Sequence, residues 1–196
     1  MHDDQEVEMD AMSFLREDHE KVLAMLDELE RGPGERTPES LAAHKRLVTE
    51  LVIAESEHEA VEEEYFWPSV QHWLEEGRDL AAPALEQEQE AKQVLQRLEE
   101  LEPDDAEFET LVSRIVADGR AHIVYEERTV WPLVRERVSH TELDEVGEKM
   151  ARAKKIAPTR PHPHTPPRAG VLKSAGPAVA GLDKLRDMAT GRGREG

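Results

Sequence analysis

The chain has 196 residues, enough for one domain with a real core and a tail. It contains no cysteine, which excludes a disulfide framework and thiolate metal sites, and its net charge of −19 opposes the counterion release that drives binding to phosphate backbones. Charged residues make up 35% and aromatic residues 4%, a balance that suits helices with a narrow apolar stripe better than a sheet.

The N-terminal stretch MHDDQEVEMD lacks the basic and apolar parts of a signal peptide. No run of about 18 apolar residues occurs, so the expectation is a cytoplasmic protein without membrane contact. Apolar residues spaced three and four apart then mark four long helices. In the first, Met12, Leu15, Val22, Leu26 and Leu29 form a stripe that RGPGERTP ends. The second starts near Pro38 and aligns Leu47, Leu51, His58, Glu62 and Tyr65. The third runs from Ala84 to Leu101, and EPDD introduces a fourth with Leu111, Ile115, His122 and Glu126. Short connections between long helices predict an all-α, up-down-up-down four-helix bundle over residues 1–152. SHTELDEVGEKMARAKK adds a short extra helix, with Thr141-x-x-Asp144 resembling a capping box. From residue 153 the prolines of KKIAPTRPHPHTPPRAG block helix continuation, which predicts a disordered tail over 153–196. That tail is basic, with nine lysines and arginines against three acids, on a body of net −25. It is either a solvated linker or an arm that folds back or reaches an anionic protein partner.

HEAVEEEYFWPSV at 58–70 returns 64 residues later as HIVYEERTVWPLV at 122–134. Residues four apart share a helix face, so His58 with Glu62, and His122 with Glu126, can each grip one ion. One such pair is ordinary on an acidic helix. Here both lie on the apolar stripe, where two carboxylates and two imidazoles would cost several kcal/mol per charge without a compensating cation. The repeat continues through Trp67-Pro68 and Trp131-Pro132, which makes the second and fourth helices equivalent halves of a pseudosymmetric bundle. A shift of 69 then aligns Val22 with Ala91, Leu26 with Leu95 and Leu29 with Leu98, and sets His19 opposite Glu88. Each half offers three inward groups: His19, His58 and Glu62 from one, Glu88, His122 and Glu126 from the other.

DHEKVLAMLDEL, HEAVEEEYFWP and HIVYEERTVWP resemble the hemerythrin-like HHE cation-binding domain over roughly residues 11 to 150. The resemblance implies a non-haem di-iron centre, two iron ions with an oxo or hydroxo bridge. Glu62 and Glu126 would bridge them, with His19, His58 and His122 as terminal ligands. The family usually has a histidine on the third helix within E-H-x-x-x-K, where this chain reads EQEQEAKQVL. Glu88 falls at that position as a coordinating substitute, with Gln87 and Gln89 its alternatives if the register moves by one. The second third-helix histidine of respiratory hemerythrins is absent, and H-x-x-x-E stands for their H-x-x-x-x-D, which argues against reversible respiratory oxygen carriage. Carboxylate in place of imidazole favours ferric iron and a lower potential. The expectation is therefore a di-iron protein that binds or reacts with dioxygen, peroxide or nitric oxide, in sensing or detoxification. No residue argues for catalase- or peroxidase-like turnover over simple binding.

Two other classes use the same residues: a zinc- or manganese-holding bundle without redox chemistry, and an acidic interaction module. His44 lies fourteen residues from His58, too far to be a ligand; His72 and His140 fall near helix ends, and His162 and His164 lie in the tail. Tyr65 fits a donor near the site or a half-buried core residue, and Glu63 and Glu127 fit either supporting contacts or surface charge. On ideal helices Trp67 and Trp131 lie 180° round from His58 and His122, which places them away from the pocket.

Overall fold

The structure is a computed structural model, and it describes residues 10–164, 181–187 and 192. Helix α1 (Ala11–Arg31) begins where the Asp10 carboxylate accepts from the Ser13 amide at 2.9 Å, and ends at Gly32, whose φ of 68° leaves the helical region. Helix α2 (Pro38–Val61) opens on Thr37 and Ser40, which cap each other's amides, with Pro38 placed where its missing N–H costs nothing. Its chain continues through a π turn (Glu62–Phe66) into α3 (Trp67–Trp73).

The same design recurs in the second half. Helix α4 (Gly77–Glu100) leads to α5 (Phe108–Tyr125), a second π turn (Glu126–Val130) and α6 (Trp131–Arg137). Helix α4 starts seven residues before the expected Ala84, with Pro83 inside it. The helical chain runs on past the prolines at 68 and 132. A proline ring clashes with the carbonyl four residues back, and the wider π turn just upstream relieves that crowding. The Trp67 and Trp131 amides accordingly bond five residues back, to Glu62 and Glu126. The final helix, α7 (His140–Lys154), is capped by Ser139 with Glu142, two residues before the Thr141 and Asp144 box expected from the sequence.

Helix α1 packs on α2 and α5, and α4 packs on α2 and α5, so the four long helices close a ring, with α7 laid against α1 and α2. The interior is divided. One apolar cluster gathers Leu15, Val61, Ala84 and Val130 with Trp67, Trp131 and Met150; the other gathers Val22, Leu26, Val52, Leu95 and Ile115 with Phe108. Along α1, α2 and α4 the switch from one cluster to the other falls at the polar residues His19, His58 and Glu88, and along α5 it falls just after His122, between Ile123 and Tyr125. A polar seam thus crosses the bundle between two greasy ends.

Part of the expected disordered tail is placed. Arg160 pairs with Glu99 of α4 and with Asp187 (2.7 Å), Thr159 donates to Asp187 at 2.5 Å, and Arg192 reaches both Glu99 and Asp187. Residues 181–187 are helical, and His162 meets Asp183 there at 3.0 Å. The rest of the tail region lies outside the described residues. Among the described residues no helix is long and apolar enough to cross a membrane.

Candidate metal centre

The seam is built from side chains that the four long helices aim at one point. His19 of α1, His58 of α2, Glu62 and Glu126 form one group whose donor atoms lie within 4.8 Å of one another. Glu62, Glu88 of α4, His122 of α5 and Glu126 form another. All six residues named from the sequence fall in these groups, and Glu62 and Glu126 belong to both. The contacts cross between halves: His19 Nε2 lies 3.0 Å from Glu126 Oε2, and His122 Nε2 lies 3.9 Å from Glu62 Oε2. Within a helix, His58 Nε2 is 3.3 Å from Glu62 Oε2 and His122 Nε2 is 3.5 Å from Glu126 Oε1.

An oxygen lies behind each imidazole. His19 Nδ1 meets Glu127 Oε1 at 3.0 Å, His122 Nδ1 meets Gln87 Oε1 at 3.1 Å, and His58 Nδ1 faces Asp18 Oδ2 at 3.6 Å. At His19 and His122 the hydrogen-bonded oxygen favours a proton on Nδ1 and leaves Nε2 to face the seam, which is the tautomer a metal ligand needs. Asp18 is itself paired with Lys154 of α7. The open alternatives for Gln87, Gln89, Glu63 and Glu127 are thereby sorted. Gln87 and Glu127 support histidines, Gln89 donates to the Pro163 carbonyl at 2.7 Å, and Glu63 pairs with Lys92. Tyr65 packs, half-buried, on the apolar cluster that holds the tryptophans.

Trp67 and Trp131 are not turned away from the centre, and the π turns are the reason. One extra residue per turn rotates the downstream helix by about 100°, so a tryptophan predicted opposite its histidine swings back toward the seam. Trp67 Nε1 donates to Glu88 Oε1 at 2.5 Å, and the Trp131 ring stacks on His19 at 5.1 Å with 12° between planes. Asp18, Glu55 and Glu59 are among further acids that are buried without having been singled out by sequence pattern. A signal for them exists: Asp18 continues the stripe of Leu15 and Val22, and Glu55 and Glu59 that of Val48 and Val52.

Electrostatics show what this layer lacks. Burial and the neighbouring carboxylates push Glu62 and Glu88 well above the usual carboxylate range. Burial also pushes on Glu126, but the imidazoles of His122, His19 and His58 outweigh it and hold that carboxyl low. Burial lowers His58 and His122; at His19 it is overcome by Glu126 and Glu127, which raise it. Both oxygens of Glu62 and of Glu126, Oε2 of Glu88 and Nε2 of all three histidines are buried without a hydrogen-bond partner. Buried polar atoms are ordinarily satisfied, so eight in one layer ask for a common partner. Once these groups give up their protons, their oxygens are acceptors only, and converging with imidazole lone pairs they fit cations, with nitrogen and oxygen ligands and no sulfur.

Fold and site together define a helical bundle whose core is arranged to hold cations. The hemerythrin HHE cation binding domain matches residues 10–134, and the chain belongs to that family. An uncharacterized hemerythrin-like protein of Schizosaccharomyces pombe is 28% identical over 144 residues, covering 73% of this chain and 71% of its own. No solved structure matches the chain.

Proposed function

We propose that the protein holds two iron ions in an up-down-up-down bundle and binds or reacts with dioxygen, peroxide or nitric oxide. The observation that carries this reading is the sharing of Glu62 and Glu126 between two donor groups. Two bridging carboxylates with separate terminal ligands are how a bundle keeps two ions a few ångströms apart. His19 and His58 would serve one ion, Glu88 and His122 the other. The second set is richer in carboxylate, a harder and more negative environment that favours the oxidised metal. Bound iron would supply the electrons for reaction with a small oxidant; the protein supplies two ion positions of unequal affinity in a layer closed by apolar clusters. Loading must also expel the protons that Glu62, Glu88 and His19 retain, so metal uptake should release acid and weaken as pH falls.

The test is metal content and visible absorption of protein loaded with iron under reducing conditions, beside His58→Ala and His122→Ala. About two irons per chain, with the near-ultraviolet and visible bands of a di-iron centre lost in both variants, is the expected result. Folded protein that takes up no iron would overturn the reading. Stoichiometric zinc in place of iron would keep the site and remove the redox chemistry.

A further inference from the structure

We propose that Trp67 is a positioning residue that holds Glu88 by one oxygen, leaves the other for the metal, and makes carboxylate rather than imidazole the group this position accepts. The inference rests on the metal-holding reading above and concerns residues of this chain toward that site. Trp67 is 1% exposed, and its ring is held within the apolar cluster, 5.0 Å from the Phe66 ring, so burial limits the directions open to its N–H. Its partner is Glu88, whose Oε1 accepts at 2.5 Å while Oε2 stays buried without a hydrogen-bond partner.

An indole nitrogen donates and cannot accept. Facing a carboxylate it makes a charge-assisted bond, shorter and stronger than a neutral one, and draws off part of the negative charge from the bound oxygen. Facing a metal-bound histidine it would meet either a ring face or the N–H of the second nitrogen, and the bond would be lost. The pseudosymmetric counterpart behaves in this way. Trp131, the equivalent residue of the other half, meets His19, the equivalent of Glu88, and there it stacks on the imidazole with its own Nε1 buried and without a hydrogen-bond partner. The same residue type is used in two ways, and the way matches the group it faces. Trp67 therefore accounts for the departure from histidine at position 88. The π turn is what delivers the indole to this place, since a regular helix would carry it to the far side.

The experiment is a double-mutant cycle on metal affinity, read by chelator competition with Fe(II) under reducing conditions. It compares the parent, Trp67→Phe, Glu88→His and the double variant. Trp67→Phe should weaken one of the two binding steps about tenfold in the parent, the scale of losing a partner behind a ligand. In the Glu88→His background it should cost nothing, because no donor bond is there to lose. Equal losses in both backgrounds would show a packing role alone and overturn the proposal, as would an unchanged parent affinity. Should Trp67→Phe fail to fold, a benzothienylalanine at 67 replaces only N–H by sulfur in the same shape, and the same two comparisons decide. A parent that binds no iron at all would sink the di-iron reading and this inference with it; a parent that binds two ions irrespective of Trp67 would sink the inference alone.

Discussion

At the scale of single residues, the seam shows how burial converts ordinary acids into chemistry. Glu55 lies one turn before the ligands of α2, facing Gly119 and Leu26, and burial lifts its carboxyl to about 7. The folded protein then binds a proton that the unfolded chain, titrating near 4.5, has lost. Stability contributed by this group is therefore complete at low pH and falls as pH climbs from about 4.5 to about 7. In metal-free protein, Glu55→Gln should remove that slope, so the parent loses up to about 1.4 kcal/mol per pH unit relative to the variant across the window. Denaturant titrations at several pH values measure it, and parallel curves for the two proteins would contradict the assignment. Four ligand candidates, His58, Glu62, His122 and Glu126, were legible because imidazole and carboxylate four apart on a stripe is a costly arrangement without a cation; His19 and Glu88 came from aligning the two halves. Asp18, Glu55 and Glu59 were less so, since a single acid on a stripe reads as a tolerated exception until its burial is known.

At the scale of elements, helix existence was plain from periodicity and caps, and the errors fell where the backbone leaves the 3.6-residue period. Five residues in each π turn look helical in sequence, yet they change the phase of every residue downstream, and the tryptophans were misplaced for that reason. The start of α4 is hidden in the sequence because Pro83 looks like a boundary, whereas it lies inside the helix, past the first turn, where it removes one backbone hydrogen bond. The observed start has its own requirement. A Cβ on Gly77 would lie 2.2 Å from the Val70 carbonyl oxygen and 2.7 Å from the Gln71 Cα, both backbone atoms that cannot move aside. Gly77→Ala should destabilise the protein by about 1–3 kcal/mol, the usual cost of overpacking, although alanine is the better helix former. A chemical denaturation midpoint unchanged by the substitution would show that α3 and α4 separate more freely than this contact allows.

At the scale of the whole molecule, charge segregation was visible in composition, and its structural use was not. The basic tail left a solvated linker and an arm that folds back both open, because prolines forbid regular structure, a rule that says nothing of ion pairs. Arg160 and Arg192 sit against Glu99 near the end of α4 and against the tail's own Asp187, so one acid of the body and one of the tail share the two arginines. Lys154 belongs to the same logic, carrying positive charge from α7 to the Asp18 that backs a ligand histidine.

The division of the interior has a consequence for cooperativity. Each apolar cluster is a consolidated unit, and what joins them without metal is a layer of carboxyl and imidazole groups with few mutual hydrogen bonds. Such a joint is where subglobal opening begins, because each side can retain its own packing while the layer parts. Two ions clamped by all four helices would fuse the units, since anything bound only by the native state raises the free energy of every opening that breaks the site. Amide exchange should therefore divide metal-free protein into two protection classes, one for each cluster, and merge them into one on loading. In this chain the metal would decide not only how stable the fold is but how many independently opening parts it has.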